Sequence, residues 1–200
     1  MTEIYLSDIT RYDGRIEKLV EGIPEEILSH CRKHQNETDL QASLLGWNIL
    51  LMLLDRQKVD IEKLKLTYNE YGKPFLGTHY FSISHSGTIV AVCLSTSEVG
   101  IDLEIIRKDR DYDALSKRYF SEKEQNSYSS SEDKPTAFTK IWTKKEAFHK
   151  HIGDGIIMPT FQKDLPYQEI ETTYLTDKDG NGYCLAVDCI DNEKFHIRVI

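Results

Sequence analysis

The chain has 200 residues, of which 40% are hydrophobic and 29% are charged, and its formal net charge is −8. This composition suffices for one or two modest globular domains and argues against wholesale disorder. The negative charge argues against nucleic acid as a partner, so any anionic ligand must be held by local basic groups. The four cysteines are scattered without zinc-ligand spacing, and we expect them to be reduced thiols.

The sequence shows no pattern typical of a membrane span or a secretion signal. Its longest apolar run, residues 49–54, is too short to cross a bilayer. The residues after Met1 do not form a basic segment followed by an apolar one. We therefore predict a soluble, cytoplasmic protein without a membrane partner.

The first part of the chain mixes helical and strand patterns. The periodicity predicts a strand at 4–6, a helix around 24–33, a longer helix capped by Thr38, and strands at 64–68, 80–84 and 88–94. The residues 84–87 are predicted to form the bend between the last two strands.

The second part repeats this mixture. The pattern predicts a strand at 99–106, a short helix ending near Tyr119, and a helix start at Ser121 with Glu124 at the third position. A polar loop at 126–135 and a long helix at 136–152, stopped by Gly153 and Gly155, come next. The tail, 169–200, alternates like antiparallel strands with a hairpin turn at 178–182. These elements predict an α+β fold in two halves, residues 1–98 and 99–200.

The first candidate site is an acidic pair. In a strand, side chains two residues apart share a face, so Asp102 and Glu104 project together while Ile101 and Leu103 point into the core. Two carboxylates this close repel each other unless both are solvated or a cation lies between them. A solvated strand face therefore stays an alternative. If a cation binds, oxygen ligands without nearby His or Cys favour Mg²⁺ or Mn²⁺ over zinc.

The second candidate site lies in the long helix. Glu146 and Lys150 are four residues apart and share one face, away from the apolar stripe that includes Phe138 and Phe148. An ordinary surface ion pair is the alternative interpretation. Lys145 falls inside the apolar stripe, so its side chain must reach water or its ammonium group must find an anionic partner.

The third candidate site combines GKP at residues 72–74 with FSISHSG at residues 81–87. Hydroxyls, an imidazole and a glycine at a strand end can present several donors to a phosphate. A merely exposed His85 is the alternative. The sequence contains no Walker motif, GxGxxG, HExxH or GxSxG, which argues against nucleotide kinases, dehydrogenases, metalloproteases and lipases.

The order of the motifs carries more information than any one of them. GKP, FSISHSG, VGIDLE, RYFSEKE and WTKKEAFHK follow one another, and this order resembles the 4′-phosphopantetheinyl transferase family, in particular its larger, pseudodimeric surfactin-type branch. The resemblance runs from about residue 44 to residue 155. It implies two similar α+β halves with the active site in the cleft between them, in a monomeric protein.

The resemblance also implies a reaction. Coenzyme A (CoA) would donate phosphopantetheine to a serine of an apo acyl or peptidyl carrier protein, with Mg²⁺ as cofactor and adenosine 3′,5′-bisphosphate as the released product. The implied metal ligands are Asp102, Glu104 and Glu146. The implied CoA-binding residues are Lys73, Ser84 and His85 and, by a looser match, His30, Arg32 and Lys33. Glu146 is also implied to accept the serine proton, and Lys150 to meet the pyrophosphate or the charge that develops on it.

Two other functions stay open. One is a CoA-binding or carrier-protein-binding module of the same fold without turnover, although all three carboxylates and the lysine are present. The other is an unrelated Mg²⁺-dependent phosphohydrolase built on the acidic pair, which leaves GKP and the SHSG turn unexplained.

Overall fold

The computed structural model describes residues 2–12, 15–63, 65–155, 162–164, 170–189 and 195–200. The helices are α1 (Ile16–Val20), α2 (Glu25–Cys31), α3 (Glu37–Arg56), α4 (Tyr112–Tyr119), α5 (Glu122–Ser129) and α6 (Lys134–Ile152). The strands are β1 (Glu3–Asp8), β2 (Leu66–Tyr68), β3 (Pro74–Leu76), β4 (Tyr80–Ser86), β5 (Ile89–Ser95), β6 (Val99–Ile105), β7 (Glu171–Thr176), β8 (Gly182–Cys189) and β9 (His196–Val199). The predicted α+β class is confirmed.

A four-stranded sheet has the order β4-β5-β1-β9. β5 is antiparallel to both neighbours, whereas β9 runs parallel to β1. One face of this sheet packs against α3, whose buried side chains include Leu45 and Leu50, because α3 turns a broad apolar face inward. Since β9 follows residue 98, the sheet crosses the predicted boundary between the two halves.

A three-stranded antiparallel sheet has the order β6-β8-β7 and packs against the other face of the first sheet. Ile4 and Leu6 of β1 meet Ile101 and Leu103 of β6 in this shared core. The inward direction predicted for Ile101 and Leu103 is therefore confirmed, since both are fully buried. The two remaining strands, β2 and β3, form a small separate hairpin.

The long helix α6 packs closely against β6. A Cβ atom added to Gly100 would lie 2.0 Å from the carbonyl oxygen of Ala147 and 2.3 Å from the backbone nitrogen of His151. Only glycine allows so close an approach of strand and helix backbones. The other side of α6 carries an aromatic cluster, with Phe120 and Phe138 stacked 4.7 Å apart, that fixes α4 and α5 on the helix.

Two predicted boundaries in the first half are wrong. The long helix α3 begins at Glu37, and its cap is Asn36, whose Oδ1 accepts a hydrogen bond from the N–H of Thr38 at 2.8 Å. β4 continues to Ser86 because residues 84–86 pair with residues 89–91 of β5. The bend is therefore shorter than predicted, and Gly87, with φ of 57°, supplies its left-handed conformation.

In the second half, the predicted polar loop at 126–135 is too long. Helix α5 continues to Ser129, and α6 starts at Lys134 with Asp133 as its cap. Pro135 lies in the first turn of α6, where the missing N–H has no helical partner to lose. The predicted capping box of Ser121 and Glu124 is confirmed, as is the end of α6 at Gly153.

Parts of two predicted segments, residue 64 and residues 169 and 190–194, lie outside the described residues. All four cysteines are free thiols, as expected. No helical segment in the described part of the chain combines the length and the apolar character that crossing a lipid bilayer demands.

Candidate active site

A cleft of about 340 Å³ lies between β4, the hairpin β2–β3 and the second half of α6. Four of the predicted site residues line it, namely Lys73, His85, Glu146 and Lys150. Three of them can carry positive charge, although the whole chain is acidic. The cleft therefore concentrates side chains that can attract an anionic ligand.

Lys150 contacts both acidic elements of the site. Its Nζ lies 2.6 Å from Oδ1 of Asp102 and 4.0 Å from Oε2 of Glu146. The predicted pair within α6 thus exists, but the closer partner is on β6. Burial would lower the pKa of Lys150, yet the negative charges of Asp102 and Glu146 outweigh that effect and raise it. Lys150 therefore carries a persistent positive charge.

Asp102 is only 3% exposed, so the interpretation of the acidic pair as a solvated strand face is wrong for this residue. Burial and then the charge of Asp102 raise the pKa of Glu104. Burial, followed by the charge of Asp102 and a smaller effect of Glu104, raises the pKa of Glu146 well above the ordinary range of a glutamate. The negative charge of Asp102 thus acts on both glutamates, and an added cation would reduce this repulsion between carboxylates.

The donor chemistry of this group fits Mg²⁺. All candidate ligands are carboxylate oxygens, and Oδ2 of Asp102 is buried without accepting a hydrogen bond from any described residue. Within the described ranges, however, no three acidic, His or Cys side chains come close enough together to hold a metal ion as they stand. The assignment of Asp102, Glu104 and Glu146 as metal ligands stays a prediction.

Ser84 and His85 are neighbours in the sequence but lie on opposite faces of β4. The hydroxyl of Ser84 donates to Oδ1 of Asp102 at 2.8 Å and accepts from Nζ of Lys150 at 3.1 Å. The ring of His85 instead faces His34 at 6.2 Å, and burial lowers its pKa. The structure therefore places Ser84 with the acidic cluster and His85 in the wall of the cleft.

The GKP segment closes the C-terminal end of α6. Nζ of Lys73 donates to the carbonyl oxygen of His151 at 2.6 Å, and Nδ2 of Asn69 donates to that of Gly153 at 2.6 Å. Two of the last carbonyls of the helix are thereby satisfied. Sequence reasoning missed Asn69, although an Asn two residues before Tyr71 in a turn-prone segment is a recognisable signal.

Arg32 and Lys33 are exposed and are not among the described residues that line the cleft. Nη1 of Arg32 donates to Oε1 of Glu25 on the same helix at 2.7 Å. His30, the third residue of the looser match, does line the cleft, and its ring stacks on Tyr68 at 5.8 Å. The structure thus does not bring Arg32 or Lys33 to the other candidates.

The expected anionic partner of Lys145 is Glu124. Nζ of Lys145 donates to both carboxylate oxygens of Glu124, at 2.6 and 2.9 Å, and both side chains are almost fully buried. Oε2 of Glu124 also accepts from the backbone N–H of Ser121 at 2.7 Å. The pair joins α5 to α6 at the position next to Glu146, so it fixes the helix that carries two of the candidates.

Comparisons with known proteins point to one family. The sequence model of the 4′-phosphopantetheinyl transferase superfamily matches residues 98–197. The chain is 29% identical over 150 residues to the 4′-phosphopantetheinyl transferase Sfp of Bacillus subtilis (72% of this chain and 66% of Sfp). It is 36% identical over 107 residues to the 4′-phosphopantetheinyl transferase HetI of Nostoc sp. (49% of this chain and 45% of HetI).

A further 4′-phosphopantetheinyl transferase of Bacillus subtilis is 26% identical over 193 residues, which cover 93% of this chain and 85% of that relative. The chain spans less than two thirds of the length of Sfp and less than half of the length of HetI.

Proposed function

We propose, since this chain belongs to the 4′-phosphopantetheinyl transferase superfamily, that it transfers the 4′-phosphopantetheine moiety of CoA to a serine of an apo acyl or peptidyl carrier protein. In this reaction the serine oxygen forms a bond to the phosphorus that bears the pantetheine arm, and the pyrophosphate bond breaks. The serine loses its proton, and adenosine 3′,5′-bisphosphate leaves. The observation that carries the proposal is the contact of Lys150 with Asp102 and Glu146 at the edge of the cleft.

The cleft is proposed to hold CoA. CoA is strongly anionic, and Lys73, His85 and Lys150 bring donors to one wall of a chain whose net charge is −8. His85 donates to a phosphate at the nucleotide end of CoA. Lys73 lies near the adenine nucleotide, and it also stabilises the C-terminal end of α6. In this arrangement the first half of the chain supplies the nucleotide side and the second half supplies the reacting groups.

Lys150 acts on the charge that moves during transfer. Its raised pKa keeps the ammonium group protonated, so it can stabilise the negative charge that accumulates on the departing phosphate. In the protein without substrate, the same ammonium compensates Asp102. Lys150 therefore needs little reorganisation when pyrophosphate arrives beside it.

Glu146 accepts the proton of the attacking serine. A base works best when its pKa lies near the working pH, and burial together with Asp102 moves the pKa of Glu146 in that direction. The side chain lines the cleft, so it is accessible to a carrier-protein serine that enters it.

Asp102, Glu104 and Glu146 would hold Mg²⁺, with Mn²⁺ as a substitute, and the bound ion would neutralise charge on the pyrophosphate oxygens. Oδ2 of Asp102 is buried and accepts no hydrogen bond within the described ranges, which supports this assignment. So do the raised pKa values of Glu104 and Glu146, because like charges in a buried site are relieved by a cation.

One assay tests the proposal. The protein is incubated with CoA, Mg²⁺ and an apo carrier protein, and the carrier is analysed by mass spectrometry for the addition of phosphopantetheine. A carrier whose acceptor serine is replaced by alanine is the control and should gain no mass. Binding of CoA without any transfer would favour a non-catalytic module, and hydrolysis of CoA without transfer would favour a phosphohydrolase.

A further inference from the structure

Three serines on one face of β4 reach across to β6. Their hydroxyl oxygens accept hydrogen bonds from three alternate backbone N–H groups of β6, at 3.0, 3.1 and 3.1 Å. The three serines, which we call the serine ladder, are Ser82, Ser84 and Ser86, and the donors are the N–H groups of Ile101, Leu103 and Ile105. Both series follow the two-residue period of a strand.

The serine ladder solves a structural problem at the edge of a sheet. Among the strands that the structure describes, β6 is the outer one of the order β6-β8-β7, and its outward N–H groups have no neighbouring strand of that sheet. Buried backbone N–H groups without partners are costly. Side-chain hydroxyls of β4 satisfy them and hold the two sheets together without backbone pairing between these strands.

The hydroxyl hydrogens of the serine ladder have different acceptors. Ser84 donates to Oδ1 of Asp102 and Ser86 donates to Oε2 of Glu104, each at 2.8 Å. Ser82 instead donates to the carbonyl oxygen of Ile101, at 3.5 Å. The ladder thus orients both members of the acidic pair at two positions and is purely structural at the third.

We propose that Ser86 is a positioning residue that sets the orientation of Glu104 for cation binding. The N–H of Ile105 fixes the oxygen of Ser86 from one side, so its hydroxyl hydrogen is directed at the carboxylate. Ser84 cannot isolate this effect because it also contacts Lys150. The inference rests on the proposed function, and it extends the site from its carboxylates to the strand that holds them.

The size of the effect follows from the kind of bond. A hydrogen bond from an outer residue to a metal-binding carboxylate fixes the direction of the carboxylate, and its loss typically costs about 10–100-fold in metal affinity or activity. The bond between Ser86 and Glu104 is charge-assisted and only half exposed to water, so screening by solvent is limited.

The experiment compares Ser86→Ala, Ser86→Thr and Ser82→Ala in the whole protein. Mg²⁺ is titrated calorimetrically into the complex with CoA, with a titration into CoA alone subtracted, and melting temperatures are measured alongside. Ser86→Ala should bind Mg²⁺ about 10–100-fold more weakly. Ser86→Thr keeps the hydroxyl and should therefore recover most of the Mg²⁺ affinity that Ser86→Ala loses. Ser82→Ala removes hydrogen bonds with the backbone of Ile101 and none with a carboxylate, so it should lower the melting temperature without weakening Mg²⁺ binding.

Unchanged Mg²⁺ affinity in Ser86→Ala would overturn the inference. Equal weakening by Ser82→Ala would do the same, because it would make the serine ladder structural throughout. Absence of Mg²⁺ binding by the wild type would overturn the inference as well. If the wild type transfers no phosphopantetheine but Ser86→Ala still weakens Mg²⁺ binding, the proposed function fails and the positioning role stands.

Discussion

The ammonium group of Lys150 lies 2.6 Å from Oδ1 of Asp102, and this contact joins α6 to β6 at the edge of the cleft. Asp102 is buried, so Lys150 and Ser84 compensate its charge where water cannot. The ion pair therefore stabilises the protein before any substrate binds, in addition to its proposed part in the reaction.

Replacing Lys150 by Ala should reduce both stability and turnover. Removing the cation leaves a buried carboxylate without its main partner, which should lower the free energy of unfolding by ~1–3 kcal/mol. The kcat of transfer should fall by ~10²–10³ because charge on the departing phosphate loses its stabilising group. Denaturant unfolding and steady-state kinetics measure the two effects. Lys140→Ala, an exposed lysine on the same helix, is the control. Normal kcat with slightly lowered stability would reduce Lys150 to a structural residue.

Replacing His85 by Ala should weaken CoA binding more than it slows transfer. His85 lines the cleft, and its inferred partner is a phosphate remote from the bond that breaks. A hydrogen bond to a charged group contributes ~1.5–3 kcal/mol, which corresponds to about a 10- to 100-fold loss of affinity. Calorimetry with CoA measures it. CoA lacking the 3′-phosphate is the matched ligand: mutant and wild type should bind it almost equally, and a large difference there would exclude this role.

Local sequence patterns predicted the features that depend only on residues close together in the chain. The two-residue period placed Asp102 and Glu104 on the face opposite Ile101, and the capping box at Ser121 needed only four residues to be recognised. The same period would have separated Ser84 from His85, had the strand been extended beyond residue 84. Hydroxyls and a glycine at 84–87 are typical of a turn, so the sequence predicts the end of this strand two residues too early.

Contacts between residues far apart in the sequence could not be predicted from the periodicity of single elements. Asp102, the nearest anionic partner of Lys150, precedes it by 48 residues, and the hydroxyl of Ser84 reaches a carboxylate 18 residues away. The strand β9 closes the first sheet beside β1 at the opposite end of the chain. These pairings depend on how the two sheets pack against each other. The sequence therefore predicts the candidate residues, and only the fold shows which of them are in contact.

Gly100→Ala should disturb the contact between β6 and α6. The new methyl group would lie 2.0 Å from the carbonyl oxygen of Ala147, and backbone cannot yield as a flexible side chain does. Strain of this kind costs ~1–3 kcal/mol or more. Gly182→Ala is the control, since its Cβ would meet Ile106 at an ordinary 3.5 Å. Thermal unfolding of both variants measures the difference, and equal melting temperatures would show that α6 moves away at little cost.

The buried pair of Lys145 and Glu124 should show strong coupling. Lys145→Met alone leaves a carboxylate buried without its cation, and Glu124→Gln alone removes the carboxylate that accepts two hydrogen bonds from the ammonium group, so each should cost ~3–5 kcal/mol. The double variant should recover part of that loss, because no uncompensated charge remains. Denaturant unfolding of the three variants gives the coupling energy. Additive losses would mean that water enters the site and replaces the missing partner.

Glu146→Gln should separate activity from stability. Burial and the charges of Asp102 and Glu104 raise the pKa of Glu146 in the folded protein above its unfolded value. The folded state therefore binds more protons between the two pKa values, and stability falls as pH rises through that window. Glutamine has no charge to bury, so above the window the metal-free variant should melt at a higher temperature than the wild type. Below the window the two melting temperatures should converge.

The kcat of transfer by Glu146→Gln should nevertheless fall by ~10²–10⁴ because the proton acceptor is lost, and added Mg²⁺ should not restore it. Melting curves across pH, without metal, and turnover at saturating Mg²⁺ give both values. A lower melting temperature above the window would mean that Lys150 compensates Glu146 fully, and an unchanged kcat would remove Glu146 from the proposed reaction.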